Sequence, residues 1–297
     1  METLHFKVAD AYFSLSAPSA RLLKALLPSY APFYVKAFPE DCHPILQATI
    51  ADGAVNLSPE GEEIGTFDCG GANHAVYRTA EGYKILIHNE NHVLSAALAT
   101  TDRFACCRVT LFGQEEEQRF GLGNALMIAF AFAGAHHGIL LMHASVAAYQ
   151  GRAYLFQGKS GTGKSTHTRL WLKHIPGCDL LNDDNPAVRS FDDGRVITYG
   201  TPWSGKTPCY RNLSMPAGGF VRLEQWPDNS IRRLPTLEAF ASILSSCSTM
   251  IWDKPSYDGI TRTVTAIVGC VPAWHLKCRP DEAAARLSET TITKPTR

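Results

Sequence analysis

The chain has 297 residues, 45% of them hydrophobic, with 28 Lys plus Arg set against 28 Asp plus Glu. That length and apolar content allow one large or two medium globular domains with full cores. The charge balance excludes a global field that would draw the protein to nucleic acid or to an anionic membrane surface, so partners have to be recognised by local sites.

Residues 1 to about 115 read as a mostly β accessory or substrate-recognition domain. The runs 6–8, 33–38, 75–78 and 83–88 carry β-branched and aromatic residues between turn clusters such as Asp52-Gly53 and Glu81-Gly82, and the last two runs read as a hairpin. His5, His43, His74, His88 and His92 lack metal-ligand spacing and receive no role. The nine cysteines form no Cys-x-x-Cys pair, Cys106 and Cys107 are adjacent, and no basic-then-apolar segment opens the chain. The expectation is a reduced, cytoplasmic protein whose cysteines are small core residues.

The acidic run Glu115-Glu116-Glu117 places a boundary near residue 116, so that 116–297 forms the second domain. Residues 121–149 carry no charge and imitate a membrane span, but Asn124, His136-His137-Gly138 and His143-Ala144-Ser145 interrupt them. They read as a buried helix over 120–136 followed by a buried strand over 139–149. Gln150-Gly151 then makes a tight turn into a strand over 152–157.

That strand runs into Gly158-Lys159-Ser160-Gly161-Thr162-Gly163-Lys164-Ser165, which fits the phosphate-cradling pattern Gly-x-x-x-x-Gly-Lys-Ser/Thr, and a helix over 166–174 follows. Strand, Gly-rich turn and helix start together aim backbone N–H groups and the positive end of the helix dipole at one point, as a triphosphate requires. Gly158, Ser160, Gly161, Thr162, Gly163, Lys164, Ser165 and Thr166 are therefore the candidate ATP contacts. Lys164 would neutralise the β and γ oxygens, and the Ser165 hydroxyl would ligate Mg²⁺. The strand preceding the loop has an antiparallel neighbour, so the sheet should be mixed rather than purely parallel.

Residues 178–184 read as a strand ending in Asp183-Asp184, which one crossover helix returns to the side of the loop. One aspartate would complete the metal shell and the other accept a proton from an acceptor hydroxyl. Adjacent strand residues point to opposite faces, so both can serve only if the chain turns there, and Asn185-Pro186 makes such a turn. A hairpin over 187–190 and 195–199 follows, with Asp192-Asp193-Gly194 as its turn. The stretch 200–208 is a candidate active-site loop or lid, in which Lys206 is a second phosphate contact and Trp203 lines an acceptor or nucleotide pocket. A strand over 218–223, a helix over 237–247, a strand over 272–278 and a helix over 281–288 complete the reading. His143, taken alone, is a hydrogen-bonded core residue in an apolar strand.

The series Met142-His143-Ala144-Ser145, then 158–165, then Asp183-Asp184 resembles the catalytic domain of HPr serine kinase/phosphorylase. The loop and acid pair are also similar to ATP-dependent phosphoenolpyruvate carboxykinase, which shares that fold. Closest is a group of HPr-kinase-like proteins of unassigned substrate with Ser-Thr-His-Thr-Arg-Leu-Trp, Asn-Asp-Asp-Asn-Pro and Gly-Thr-Pro-Trp-Ser-Gly-Lys, which stand here at 165–171, 182–186 and 200–206. The resemblance implies an α/β, mixed-sheet P-loop kinase domain behind a smaller β domain. It also implies that His143 joins Asp183, Asp184 and Lys164 in the catalytic centre. The expected function is ATP- and Mg²⁺-dependent phosphoryl transfer to a hydroxyl of a peptide, protein or small metabolite, with an oligomer allowed. The alternatives are a nucleotide-dependent binding module and a carboxykinase-like activity. The Gly-rich, glutamate-bearing segment of true HPr kinases has no counterpart after Asp184, so the resemblance implies the reaction class and leaves the acceptor open.

Overall fold

In a computed structural model the protein is described over residues 1–51, 61–68, 73–205 and 207–294, apart from the side chains of Asp68, Asn73 and Asp102. The Asp52-Gly53 turn and Lys206 lie outside the described residues. The fold is mixed α/β, and the chain divides into two compact units, Met1–His137 with Met250–Tyr257 and Gly138–Thr249 with Asp258–Arg297.

The first unit contains β1 (Glu2–Val8), β2 (Ala11–Ala17), α1 (Ala20–Leu26), β3 (Tyr34–Val35), β4 (Leu46–Ile50), β5 (Glu62–Asp68), β6 (Asn73–Arg78), β7 (Gly82–His88), β8 (Leu94–Thr101), β9 (Cys106–Leu111) and α2 (Glu115–Ala135). Its strands form one sheet in the order β3-β1-β2-β4-β9-β8-β7-β6-β5, with β4 parallel to β2 and β9 and the remaining pairs antiparallel. The hairpin over 75–88 is present as β6 and β7, with Arg78 opposite Tyr83. The strand expected over 33–38 shrinks to Tyr34–Val35. Pro28–Phe33 forms a 3-10 helix instead, since Pro28 and Pro32 fix φ and offer no N–H to a ladder.

The acidic run is the first turn of α2, where its carboxylates complement the helix dipole and the Gln114 N–H donates to Glu117 Oε2 at 3.0 Å. Phe130 meets Phe13 at 5.7 Å between ring centroids and Phe132 meets Phe104 at 5.1 Å. The helix approaches β8 so closely that a Cβ at Gly121 would stand 2.5 Å from the Ser95 carbonyl oxygen. A helix packed in this way is part of the first unit's core, which therefore extends past residue 116. No helix among the described residues is long and apolar enough to cross a membrane. The described cysteines are free, with Cys107 and Cys209 buried but Cys106 and Cys270 exposed; core packing explains only part of the set.

The second unit contains β10 (Ile139–Leu141), β11 (Ala144–Tyr149), β12 (Arg152–Gln157), α3 (Lys164–His174), β13 (Asp179–Asp184), β14 (Ala187–Ser190), β15 (Val196–Tyr199), β16 (Ser214–Gln225), β17 (Ser230–Arg233), α4 (Thr236–Leu244), most of α5 (Lys254–Cys270), β18 (Ala273–Cys278) and α6 (Glu282–Ile292). The strand path is β10-β14-β15-β16-β12-β11-β13, with β18 beside β16 and β17 beside β18. Only β16 runs parallel to its partners β12 and β18, so the sheet is mixed.

Gln150 and Gly151 have φ of 49° and 72°, the two positive values that a tight two-residue hairpin requires. They fold β11 back against β12, and β13 pairs antiparallel with the other edge of β11. Two reversals make β13 co-directional with β12, so the carboxyl ends of both strands, and with them the Gly-rich loop and the two acids, share one edge of the sheet. Trp171 of α3 is fully buried between Tyr154 and Phe156, at centroid distances of 5.5 and 5.3 Å. Its indole N–H donates to Ser288 Oγ of α6 at 2.9 Å. Aromatic burial of this kind fixes α3, and hence the loop that precedes it, against the sheet.

Candidate functional site

The loop between β12 and α3 turns through Gly161 and Gly163, whose φ values of 80° and 96° suit glycine. Gly163 is the N-cap of α3, so the free N–H groups of the helix start face the loop. Both the backbone N–H and the hydroxyl of Thr162 donate to the Lys159 carbonyl, at 3.2 and 2.8 Å. Lys164 is 8% exposed. Its ammonium folds back to donate to the carbonyls of Gly158 and Lys159 at 3.1 and 3.2 Å. Burial lowers its pKa below the usual lysine value, the charges of Asp184 and Asp183 pull in the opposite direction, and Arg222 adds to the lowering. Ser165 and Thr166 follow on the first turn of α3, half-buried, while Ser160 and Gly161 are exposed.

The acids reach the site through their pairing with β11, in which Ser145 opposes Asp183 and Ala144 opposes Asp184. Asp183 is 3% exposed, and its Oδ1 is buried without a hydrogen-bond partner among the described residues, as is Ser145 Oγ. An orphaned carboxylate oxygen is costly unless a cation or a donor meets it. Asp184 has φ of 118°, so the chain turns at this residue as the sequence requires. Its Oδ1 lies 3.2 Å from His143 Nε2, and its Oδ2 accepts from Asn185 Nδ2 at 2.8 Å.

The strand expected over 139–149 is broken at Met142-His143, opposite Asn185-Pro186. Proline offers no N–H there, although the Met142 N–H still donates to the Pro186 carbonyl at 3.0 Å. Beyond the break β10 pairs with β14 rather than β13. The His143 N–H donates to the Ser246 carbonyl at 2.7 Å, and its half-exposed imidazole meets Asp184. It is therefore a surface member of the site rather than a core histidine.

The loop beginning at Gly200 docks onto the acid strand. Ser204 Oγ and the Gly205 N–H donate to the Asp183 carbonyl at 2.9 and 2.6 Å. Asn182 Nδ2 donates to the Trp203 carbonyl at 3.2 Å, and Thr201 Oγ1 to the Asn185 carbonyl at 2.7 Å. A Cβ at Gly205 would stand 3.0 Å from Asp184 Cβ. Trp203 is only 6% exposed and lines neither of the two clefts beside the phosphate loop. Lys206, outside the described residues, follows directly.

Sequence reading missed Arg222. It sits on β16 in register with Gln157, the residue before the loop. With Lys159, Ser160, Gly161, Thr162 and His275 it lines a cleft of about 510 Å³. Its guanidinium donates to Ser245 Oγ at 2.9 Å and Ser246 Oγ at 3.5 Å, and Ser246 is the residue whose carbonyl holds His143. No local motif marks an arginine in an apolar strand; only the parallel pairing of β12 with β16 brings it here. Among the described residues no group of three His, Cys, Asp or Glu side chains is placed to hold a metal. A cation here would rest on one carboxylate, a hydroxyl and oxygens from ligand and water, which is how Mg²⁺ is commonly held. No protein-family model matches the chain, and no curated protein matches it.

Proposed function

We propose that the second unit is an ATP- and Mg²⁺-dependent kinase centre of the HPr kinase and phosphoenolpyruvate carboxykinase type, transferring the γ-phosphoryl group to an acceptor hydroxyl. The observation that carries this reading is the His143–Asp184 pair at 3.2 Å, set at the sheet edge where the charges of both acids act on the buried Lys164. A bare nucleotide switch has no use for a carboxylate–imidazole pair beside its phosphate loop; a group that must take a proton from a hydroxyl does.

Backbone N–H groups from Ser160 to Ser165 bind the phosphates, and the Lys164 ammonium balances the β and γ oxygens. Ser165 and Asp183 would hold Mg²⁺, whose chemistry when bound is neutralisation of charge on the phosphate oxygens. The orphaned Asp183 Oδ1 fits that assignment. Asp184, oriented by His143 and Asn185, accepts the acceptor's hydroxyl proton. The acceptor oxygen bonds to the γ-phosphorus as the bond to the β,γ-bridging oxygen breaks, and ADP leaves. The loop tied to Asp183 keeps that strand end in place.

Incubation with γ-labelled ATP and a lysate or metabolite pool should label one acceptor class, and Lys164→Ala should abolish the label. Tight ATP binding with no labelled acceptor in any pool would overturn the kinase reading.

A further inference from the structure

A second cleft, of about 540 Å³, opens beside the same loop. Its lining takes in Gly161, Gly163, Thr166, Leu170 and Trp226, and none of His143, Asp183 or Asp184. The polarity of a phosphate loop is set by its chain order: the lysine reaches the β and γ phosphates, so the γ end of a bound triphosphate lies toward Lys164 and the acids. The other end must leave past the first turn of α3, on the side of Thr166. This second cleft occupies that side.

Its chemistry is that of a slot for a flat, uncharged ring. Leu170, Leu223, Pro227 and Cys278 contribute apolar wall, no carboxylate lines it, and its one cationic side chain, Arg279, is paired with Asp281 Oδ2 at 3.3 Å. Trp226 is 46% exposed, unusual for an indole. The backbone N–H of Trp226 donates to the Cys278 carbonyl at 3.1 Å, and the Lys277 ammonium sits 3.8 Å from the ring centroid over one face. Lys277 is not part of the cleft lining. Gln225, just before Trp226, donates from Nε2 to the Gly161 carbonyl at 3.1 Å, tying the end of β16 to the loop. The volume falls within the ordinary range of small-ligand sites, and the charged lining of the first cleft, with Lys159, Arg222, Glu224 and His275, suits anions better than a base.

We propose that this cleft is the nucleoside subsite, in which the indole of Trp226 is the platform on which the base stacks. The assignment rests on the reading of the Gly-rich loop as a triphosphate site, and it adds a residue that no loop motif contains.

Calorimetric titration of the full chain with ATP and with inorganic tripolyphosphate, each with Mg²⁺, separates the two claims. Stacking of one base on an aromatic ring is worth roughly a 10- to 100-fold gain in affinity. Trp226→Leu, which keeps apolar bulk and loses the π face, should weaken ATP by about that factor and leave tripolyphosphate within about twofold. Trp226→Tyr should restore most of the ATP affinity. Unchanged ATP affinity in Trp226→Leu, or equal losses for both ligands, would overturn the subsite while leaving the phosphate site standing. If the wild-type chain binds neither ligand, the phosphate reading itself fails and this assignment falls with it.

Discussion

His143 Nε2 stands 3.2 Å from Asp184 Oδ1 because the two residues occupy the same fork in the sheet. The β11–β13 ladder ends at the pair Ala144–Asp184. One residue beyond, β11 gives way to the break before β10, and the positive φ of Asp184 swings its carboxylate off the strand axis. A strand that continued regularly would send the carboxylate of one of the two acids away from the loop.

Proton acceptance at this pair predicts a separation of binding from turnover. His143→Ala and Asp184→Asn should each lower the rate of phosphoryl transfer by about 10²- to 10⁴-fold, the usual span for a lost general base. ATP affinity measured by calorimetry should change little. The double variant should be hardly worse than either single one, because the two side chains act as a unit. Wild-type turnover in His143→Ala would remove the imidazole from the mechanism.

The backbone at Asp184 predicts a conflict between stability and activity. A φ of 118° is open to glycine and costs other residues on the order of 1–3 kcal/mol. Comparing Asp184→Gly with Asp184→Ala removes the side chain in both and leaves only the backbone difference. The glycine variant should be the more stable by about that amount in urea unfolding, and both should be inactive. Equal midpoints would mean that the turn is unstrained.

The phosphate loop, both flanking elements and the acid strand were legible because each is local: a short apolar run, turn-forming glycines and an acid pair within one stretch. What escaped was non-local. Arg222 reaches the loop through a parallel pairing that no sequence spacing announces. The interruption at His143 depends on Asn185-Pro186 opposite it. The boundary near residue 116 rested on three glutamates, yet these cap a helix whose apolar face packs on the first sheet. Helix α5 carried a readable signal, since Ile260, Val264 and Ile267 recur at helical spacing and are buried. The β-branched residues and glycines among them hid that period.

Lys164 predicts that a phosphate-site residue is held against the interest of the fold. Burial lowers its folded-state pKa, so at any pH where it remains charged the native state is less stable than it would be with a neutral group. That deficit is present in full below the folded pKa and is relieved as pH rises through it. Lys164→Met, similar in length and uncharged, should therefore melt at or above the wild-type temperature. The wild type should gain about 2.7 kcal/mol from ATP at a hundred times its Kd, and the variant should gain none. A variant that melts well below wild type would show that the ammonium's bonds to Gly158 and Lys159 outweigh its desolvation.

His167 supplies the pH dependence of the second unit. The ring is 2% exposed, meets Ser288 Oγ at 3.0 Å through Nε2 and packs edge-on against Phe156 at 4.7 Å. Burial pushes its pKa from 6.5 down to about 4. Between those values the unfolded chain binds a proton that the folded imidazole refuses. The contribution is thus whole above pH 6.5 and is lost as pH falls toward 4, by roughly 2 kcal/mol at pH 5 and about 3 kcal/mol at pH 4. His74, lowered to about 4 chiefly by burial and then by His88, acts in the same window within the first unit. Urea midpoints at pH 7 and pH 5 should therefore fall in the wild type and fall less in His167→Gln, whose amide can still reach Ser288 without titrating. An equal drop in both proteins would assign the acid sensitivity to His74 and to other groups, and would release His167 from this role.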